Sequence, residues 1–220
     1  MYSIPVVDIK AIFNCFDQIP DAGASFSVQL CVDIPVNGSP AASSNVSAFS
    51  AGHSFLIVSK SGGGNSITQA FGFYPATGIS MWNPFTSKPS AIRDNSGQEI
   101  NGSLSMSLSS DQFGQLKATA IGLSSKPYIL DASNCTDYAV GVINSLRSQP
   151  LSLQPYVVHQ PGVTVSGSLS PGFDVTINNS PQRLYELLSQ MKSAGGPESA
   201  NIQLDLSHNL KAPLSHGPCD

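Results

Sequence analysis

Two alternating stretches joined by a glycine-rich turn constrain this chain most. Residues 53–60 set His53, Phe55 and Ile57 on one side and Ser54, Leu56 and Val58 on the other. Residues 66–74 return with Ile67, Gln69, Phe71 and Phe73 on one side. Between them, Ser61-Gly62-Gly63-Gly64-Asn65 is a flexible turn, so the pair reads as a β-hairpin with a loose loop. With Ile57 near Gln69 or Phe71, the odd-numbered faces of both arms coincide. His53 and Gln69 are then expected to look the same way.

Other elements fall in around this hairpin. Residues 25–36 alternate through Phe26, Val28, Leu30 and Val32 and end at Pro35, a half-buried strand with Cys31 on its polar face. That cysteine is expected to be exposed or turned toward a cleft. Residues 101–109 form another strand through Leu104, Met106 and Leu108. Ser110 opens a helix carrying Phe113, Leu116 and Ala120, and residues 126–130 read as a short strand. Residues 4–16 are a short helix or an irregular lead-in. Residues 37–52 are a long Ser/Ala/Gly/Pro loop that delivers the chain to His53. Asp94-Asn95-Ser96-Gly97 is a turn. After Arg147 the pattern weakens: residues 156–165 and 172–177 are strands or extended loops. Ser180-Pro181 starts a last helix that Gly195-Gly196-Pro197 stops. The expected architecture is α+β, one domain over residues 1–192 with a C-terminal extension, then a weakly ordered tail over 193–220.

Composition removes several function classes. The chain has 220 residues and a net charge of -4, without the basic patch that nucleic acid requires. No apolar run approaches the roughly 20 residues of a membrane span. Residues 1–16 carry Asp8 and Lys10 within their apolar pattern and do not read as a signal peptide, which leaves export by another route open. The four cysteines, Cys15, Cys31, Cys135 and Cys219, match no zinc spacing, and no cofactor or metal is expected. Cys15 and Cys31 can pair if the protein is exported; the sequence does not choose among the three connectivities.

The chemistry centres on Ser133-Asn134-Cys135-Thr136-Asp137-Tyr138. Apolar residues follow Cys135 at Tyr138, Ala139, Val142, Ile143 and Leu146, one face of a helix. Ser133 or Asn134 can cap its first turn, and Asp137 suits the positive end. Cys135 therefore opens the helix on its inward side. A thiol so placed can fall from a pKa of about 8.5 to roughly 3.5–7.5. A lone cysteine on an apolar face is more often a small buried hydrophobe, so the functional reading needs a partner base. Of four histidines, His159 lies in a weakly patterned stretch, and His208 and His216 lie in the tail. His53 alone opens a strong strand.

Three blocks, Ala51-Gly52-His53-Ser54-Phe55-Leu56, Phe71-Gly72-Phe73-Tyr74-Pro75 and Asn134-Cys135-Thr136-Asp137-Tyr138-Ala139, look like the signature of a bacterial family. That family resembles the circularly permuted NlpC/P60 branch of papain-like enzymes, in which the histidine strand precedes the Asn-Cys helix. The resemblance covers about residues 25–146. It implies a central antiparallel sheet with the Cys-bearing helix packed on it, Cys135 as nucleophile and His53 as base. It also implies a polar third residue on the next strand, best matched by Gln69. The backbone N–H of Cys135, with a side chain such as Gln29, would meet the oxyanion. The implied activity is a thiol amidase or endopeptidase, with bacterial cell-wall peptides as the leading substrate. Two rivals follow from the same resemblance. One is an acyltransferase or lipid hydrolase using the same pair, favoured by an apolar groove near Trp82 and Phe85. The other is a non-catalytic binding module on the same fold. Oligomeric state is left open.

Overall fold

A computed structural model describes residues 4–41, 51–79, 85–160, 163–165, 168–170, 173–207 and 209–217. Helix α1 (Ile9–Phe16) leads into strand β1 (Ser25–Asp33), then β2 (His53–Gly62), β3 (Asn65–Pro75), β4 (Ser90–Asp94) and β5 (Gly102–Leu108). Helices α2 (Ser110–Ser124) and α3 (Cys135–Asn144) follow. Short strands β6 (Tyr156–Gln160), β7 (Val163–Val165), β8 (Ser168–Ser170) and β9 (Phe173–Ile177) precede α4 (Pro181–Ala194) and β10 (Ile202–Leu204). Six strands make one antiparallel sheet in the order β10-β5-β1-β2-β3-β4. Strands β6 and β9 pair separately, as do β7 and β8. Among the described residues, no helix is long and apolar enough to cross a membrane.

The pleat sorts the core. Phe26, Val28, Leu30 and Val32 of β1 and Leu56 and Val58 of β2 face the helices. There they meet Phe13 and Phe16 of α1, Leu116 of α2, Ala139, Val142 and Ile143 of α3, and Leu184 and Leu188 of α4. Fully burying one such side chain contributes about 1.5–3 kcal/mol, so each helix is held chiefly by this stripe. Lys60 is also sealed on the helix side. Its Nζ donates to the Phe16 carbonyl at 3.0 Å and Asp21 Oδ1 at 2.5 Å, above the rings of Phe26 and Phe113.

The opposite face departs from expectation. Cys31 is fully buried there with Phe55, Ile57, Ala70, Ile100 and Ala212. The cover comes from the supposed tail. Ile202–Leu204 adds an edge strand to β5, Ala212 exchanges backbone bonds with Gln98 and Gly97, and His216 pairs with Thr68. Described residues beyond 193 thus belong to the fold instead of trailing from it. Cys15 is disulfide-bonded and Cys31 is a free thiol, so those two do not pair. Residues 126–130 make isolated bridges, Lys88 to Tyr128 and Ile129 to Ser133, where a strand was expected.

The hairpin turn is tighter than expected and fixes the register. Gly62 pairs with Asn65, leaving a two-residue turn at Gly63-Gly64 with both φ angles positive. Ile57 then faces Ala70, and Phe55 faces Gly72. That is one step from the expected pairing, and one step turns a strand over.

Candidate functional site

Helix α3 begins as the sequence predicts. Asn134 is its N-cap: Oδ1 accepts from Thr136 N at 2.7 Å and Asp137 N at 3.1 Å. Asp137 Oδ2 returns the favour by accepting from Asn134 N at 2.9 Å, which completes a capping box. The cap also reaches the chain ahead of α4. Asn134 Nδ2 donates to the carbonyls of Leu130 and Asn179, and Asn179 Nδ2 donates to Asp137 Oδ1 at 2.5 Å. The cap and the Asn134 carbonyl take up the N–H groups of Thr136, Asp137 and Tyr138. The N–H of Cys135 has no partner among the described residues.

Cys135 is buried, with 5% of the residue exposed. The backbone N–H of Ser54 and the hydroxyl of Thr136 point at its sulfur, and the Ser54 and Thr136 hydroxyls bond each other at 3.0 Å. Burial nonetheless dominates and pushes the thiol above its ordinary range, with the Asp137 carboxylate adding to that rise. The lowered pKa expected from the helix terminus is therefore not found in the resting protein. Desolvation of the thiolate outweighs the N–H groups, two of which the cap has already engaged.

His53 enters β2 directly after Gly52, whose φ is +76°. A Cβ at position 52 would lie 2.6 Å from the Asp33 carbonyl oxygen, so only glycine fits before this histidine. The imidazole is 9% exposed, stacked on Tyr74 at 4.2 Å and in line with Phe55 at 6.0 Å. Its Nε2 is sealed from solvent and faces Asn95 Oδ1, likewise sealed. The pair lacks the alignment of a well-formed hydrogen bond. Their attraction only offsets burial, which lowers the His53 pKa to about 3. Both atoms crowd the α-carbon of Gly72: a Cβ there would lie 2.4 Å from Nε2 and 2.6 Å from Oδ1.

Cys135 and His53 thus converge on one peptide unit from two sides. The sulfur lies beside the N–H of Ser54, the residue that follows His53, which favours its charged form, while the ring of His53 leans to the other face of β2. Neither side chain is the other's hydrogen-bond partner, and neither titration feels the other. The site pairs a neutral thiol with a neutral imidazole. No family model, curated protein or solved structure matches the chain.

Gln69 does not join this group. It faces Val58, on the opposite side of β3 from Gly72 and Tyr74, and its Nε2 donates to the His216 carbonyl at 3.3 Å. The one-step shift of register turned it away. Gln29 is also elsewhere, donating to Ser103 Oγ at 2.8 Å opposite Ile57. Of Trp82 and Phe85, on which the apolar-groove expectation rests, Trp82 lies outside the described residues and Phe85 is half-buried. Asn95 is the polar group behind the histidine. It comes from the turn after β4, anchored by its N–H on the Ala70 carbonyl. An asparagine in Asp-Asn-Ser-Gly carries an ordinary turn signal, so nothing in the residues themselves marks it.

Proposed function

We propose that the chain is a thiol hydrolase of the permuted papain-like kind, acting on an amide. The observation that carries this reading is the lodging of the Cys135 thiol at a helix N-terminus against the His53–Ser54 peptide, with Asn95 behind the imidazole. A nucleophile, a base and an orienting group are the parts such chemistry needs. In the resting protein the thiol and the imidazole take opposite faces of β2, so the reaction requires the ring to swing round the start of the strand to reach the sulfur. Sγ then attacks the carbonyl carbon while its proton passes to His53. The Cys135 N–H meets the oxyanion. His53 returns the proton to the leaving amine, a thioester remains, and water activated by the same imidazole releases the acid. Bacterial cell-wall peptides are the substrate class that the sequence resemblance favours.

The test is digestion of purified cell-wall sacculi, read as new free amines by mass spectrometry. Cleavage is expected with the wild-type chain, with a loss on the order of 100-fold or more in Cys135→Ala and His53→Ala. Cleavage that survives in Cys135→Ala overturns the proposal. A second reading, a binding module that has kept the fold, draws on the near-complete burial of the sulfur and its raised pKa. It is favoured if Cys135→Ala binds sacculi as the wild type does and neither protein cleaves them. The resting thiol also predicts its own signature: iodoacetamide should label Cys135 with a midpoint above the ordinary thiol pKa of about 8.5.

A further inference from the structure

We infer that a disulfide between Cys15 and Cys219 clasps the C-terminal strip to α1, which places the cover over the second sheet face under redox control. Cys15 is disulfide-bonded, whereas Cys31 and Cys135 are free thiols. The chain has four cysteines, so the partner left to Cys15 is Cys219, which lies outside the described residues. Reach agrees with the count. A Cβ at Gly217 would lie 3.3 Å from Cys15 Sγ and 3.1 Å from Ile67 Cγ2, so the strip arrives beside the sulfur. Two further residues extend at most about 7 Å. That step suits the roughly 4.4–6.8 Å between the α-carbons of a bridged pair.

The path of the strip shows what the bond holds. Leu210 and Ala212 lie on the second face with Cys31 and Phe55. Strand β4 pairs with β3 from Phe71 to Pro75, and the strip takes the edge of β3 before that. Ser215 Oγ accepts from Ala70 N at 3.1 Å, and Thr68 and His216 exchange backbone bonds of 3.1 and 2.8 Å. The chain thereby rounds the edge, and Gly217 comes down beside Ile67 and Cys15, which belong to the helix side. The disulfide joins the helix layer to the cover on the far face, with the sheet between them. The strip also grips the turn that carries Asn95. Ser215 N donates to Ser96 Oγ at 2.7 Å, Ser215 Oγ donates to Asp94 Oδ1 at 2.9 Å, and Gly97 N donates to the Ala212 carbonyl at 3.0 Å. These pairs are single bonds spread along the strip, and such segments open locally unless an end is tied.

The clasp closes by thiol–disulfide exchange. One cysteine thiolate attacks glutathione disulfide and expels a glutathione thiolate; the second attacks the mixed disulfide and expels the other. The two cysteines give up two electrons and two protons, and the oxidant leaves as two glutathione thiols. Dithiothreitol reverses the exchange and ends as its own cyclic disulfide. An oxidising compartment therefore fastens the cover, and a reducing one leaves it to non-covalent contacts.

The test uses the full chain with Cys135→Ala, folded in a glutathione redox pair, so that Cys31 is the thiol left to label. Digestion without reductant, read by mass spectrometry, should give a cross-linked peptide pair holding Cys15 and Cys219. Iodoacetamide should label the Cys31 peptide roughly tenfold or more faster after dithiothreitol, or in Cys219→Ser, because labelling follows the opening of the cover. The helical circular-dichroism signal should survive reduction, which marks the opening as local; its loss overturns a local clasp. A free Cys15 thiol, or a bond from Cys15 to Cys31, overturns the pairing. Equal labelling of Cys31 in the clasped, reduced and Cys219→Ser chains overturns the hold on the cover. No step uses Cys135 or His53, so the outcome of the sacculus digestion leaves this result standing.

Discussion

Gly72 is where the site has least room. The imidazole and the Asn95 amide both press on its α-carbon, and a methyl group has nowhere to go. Gly72→Ala should cost about 1–3 kcal/mol in urea unfolding, the usual range for overpacking. His53 makes a second prediction, this one in pH. Its folded pKa of about 3 lies below the ordinary 6.5. Between those values the unfolded chain binds a proton and the folded chain does not, so stability falls as pH falls through that window. The slope is at most about 1.4 kcal/mol per pH unit from this one group. Unfolding of His53→Gln should lack this component, so the stability difference between wild type and variant should change between about pH 6 and pH 4 and stay flat above pH 7. A parallel pair of curves would refute the buried neutral imidazole. That His53 opens β2 and Cys135 opens α3 was legible because each begins an element with a strong pattern; that their side chains take opposite faces of β2 was not. Asn95 was not, because it reaches the ring from a turn remote in sequence. Gln69 was misjudged because a face assignment depends on a turn length that five small residues leave undefined.

At the level of elements, the start of α3 is a knot of side-chain bonds, and its centre is Asn134. Replacing it with alanine removes the cap, worth about 1 kcal/mol. It also strands the Leu130 and Asn179 carbonyls, at about 1–3 kcal/mol. The sum should lower the urea midpoint clearly. Asn134→Asp keeps the accepting oxygen and should recover about 1 kcal/mol of that loss. Equal destabilisation by the two variants would mean that the cap contributes nothing. Strands β1, β2, β3 and β5 of the central sheet and α2, α3 and α4 were readable from periodicity and caps, Pro181 and Gly195 included, whereas the edge strands β4 and β10 were not. The short strand at 126–130 was not realised, since only Tyr128 and Ile129 find bridge partners, each singly.

Across the whole molecule, the two faces of the sheet are covered by different means. Four helices fill one; the chain after Gly196 closes the other. The weak apolar pattern of that last stretch hid its role, because it contributes backbone pairing and a few anchors such as Leu210 and Ala212 rather than a periodic stripe. A chain ending at Gly196 should therefore expose Cys31 and Phe55. Its Cys31 should react readily with iodoacetamide, while that of the full chain stays protected; protection in both would contradict the cover. Order of synthesis takes on a meaning here. A ribosome making this protein from its N-terminus completes both proposed reactive residues well before the strip that shelters the sheet behind them has left the exit tunnel. The emerging polypeptide must hold a bare hydrophobic surface until residues 202–217 arrive.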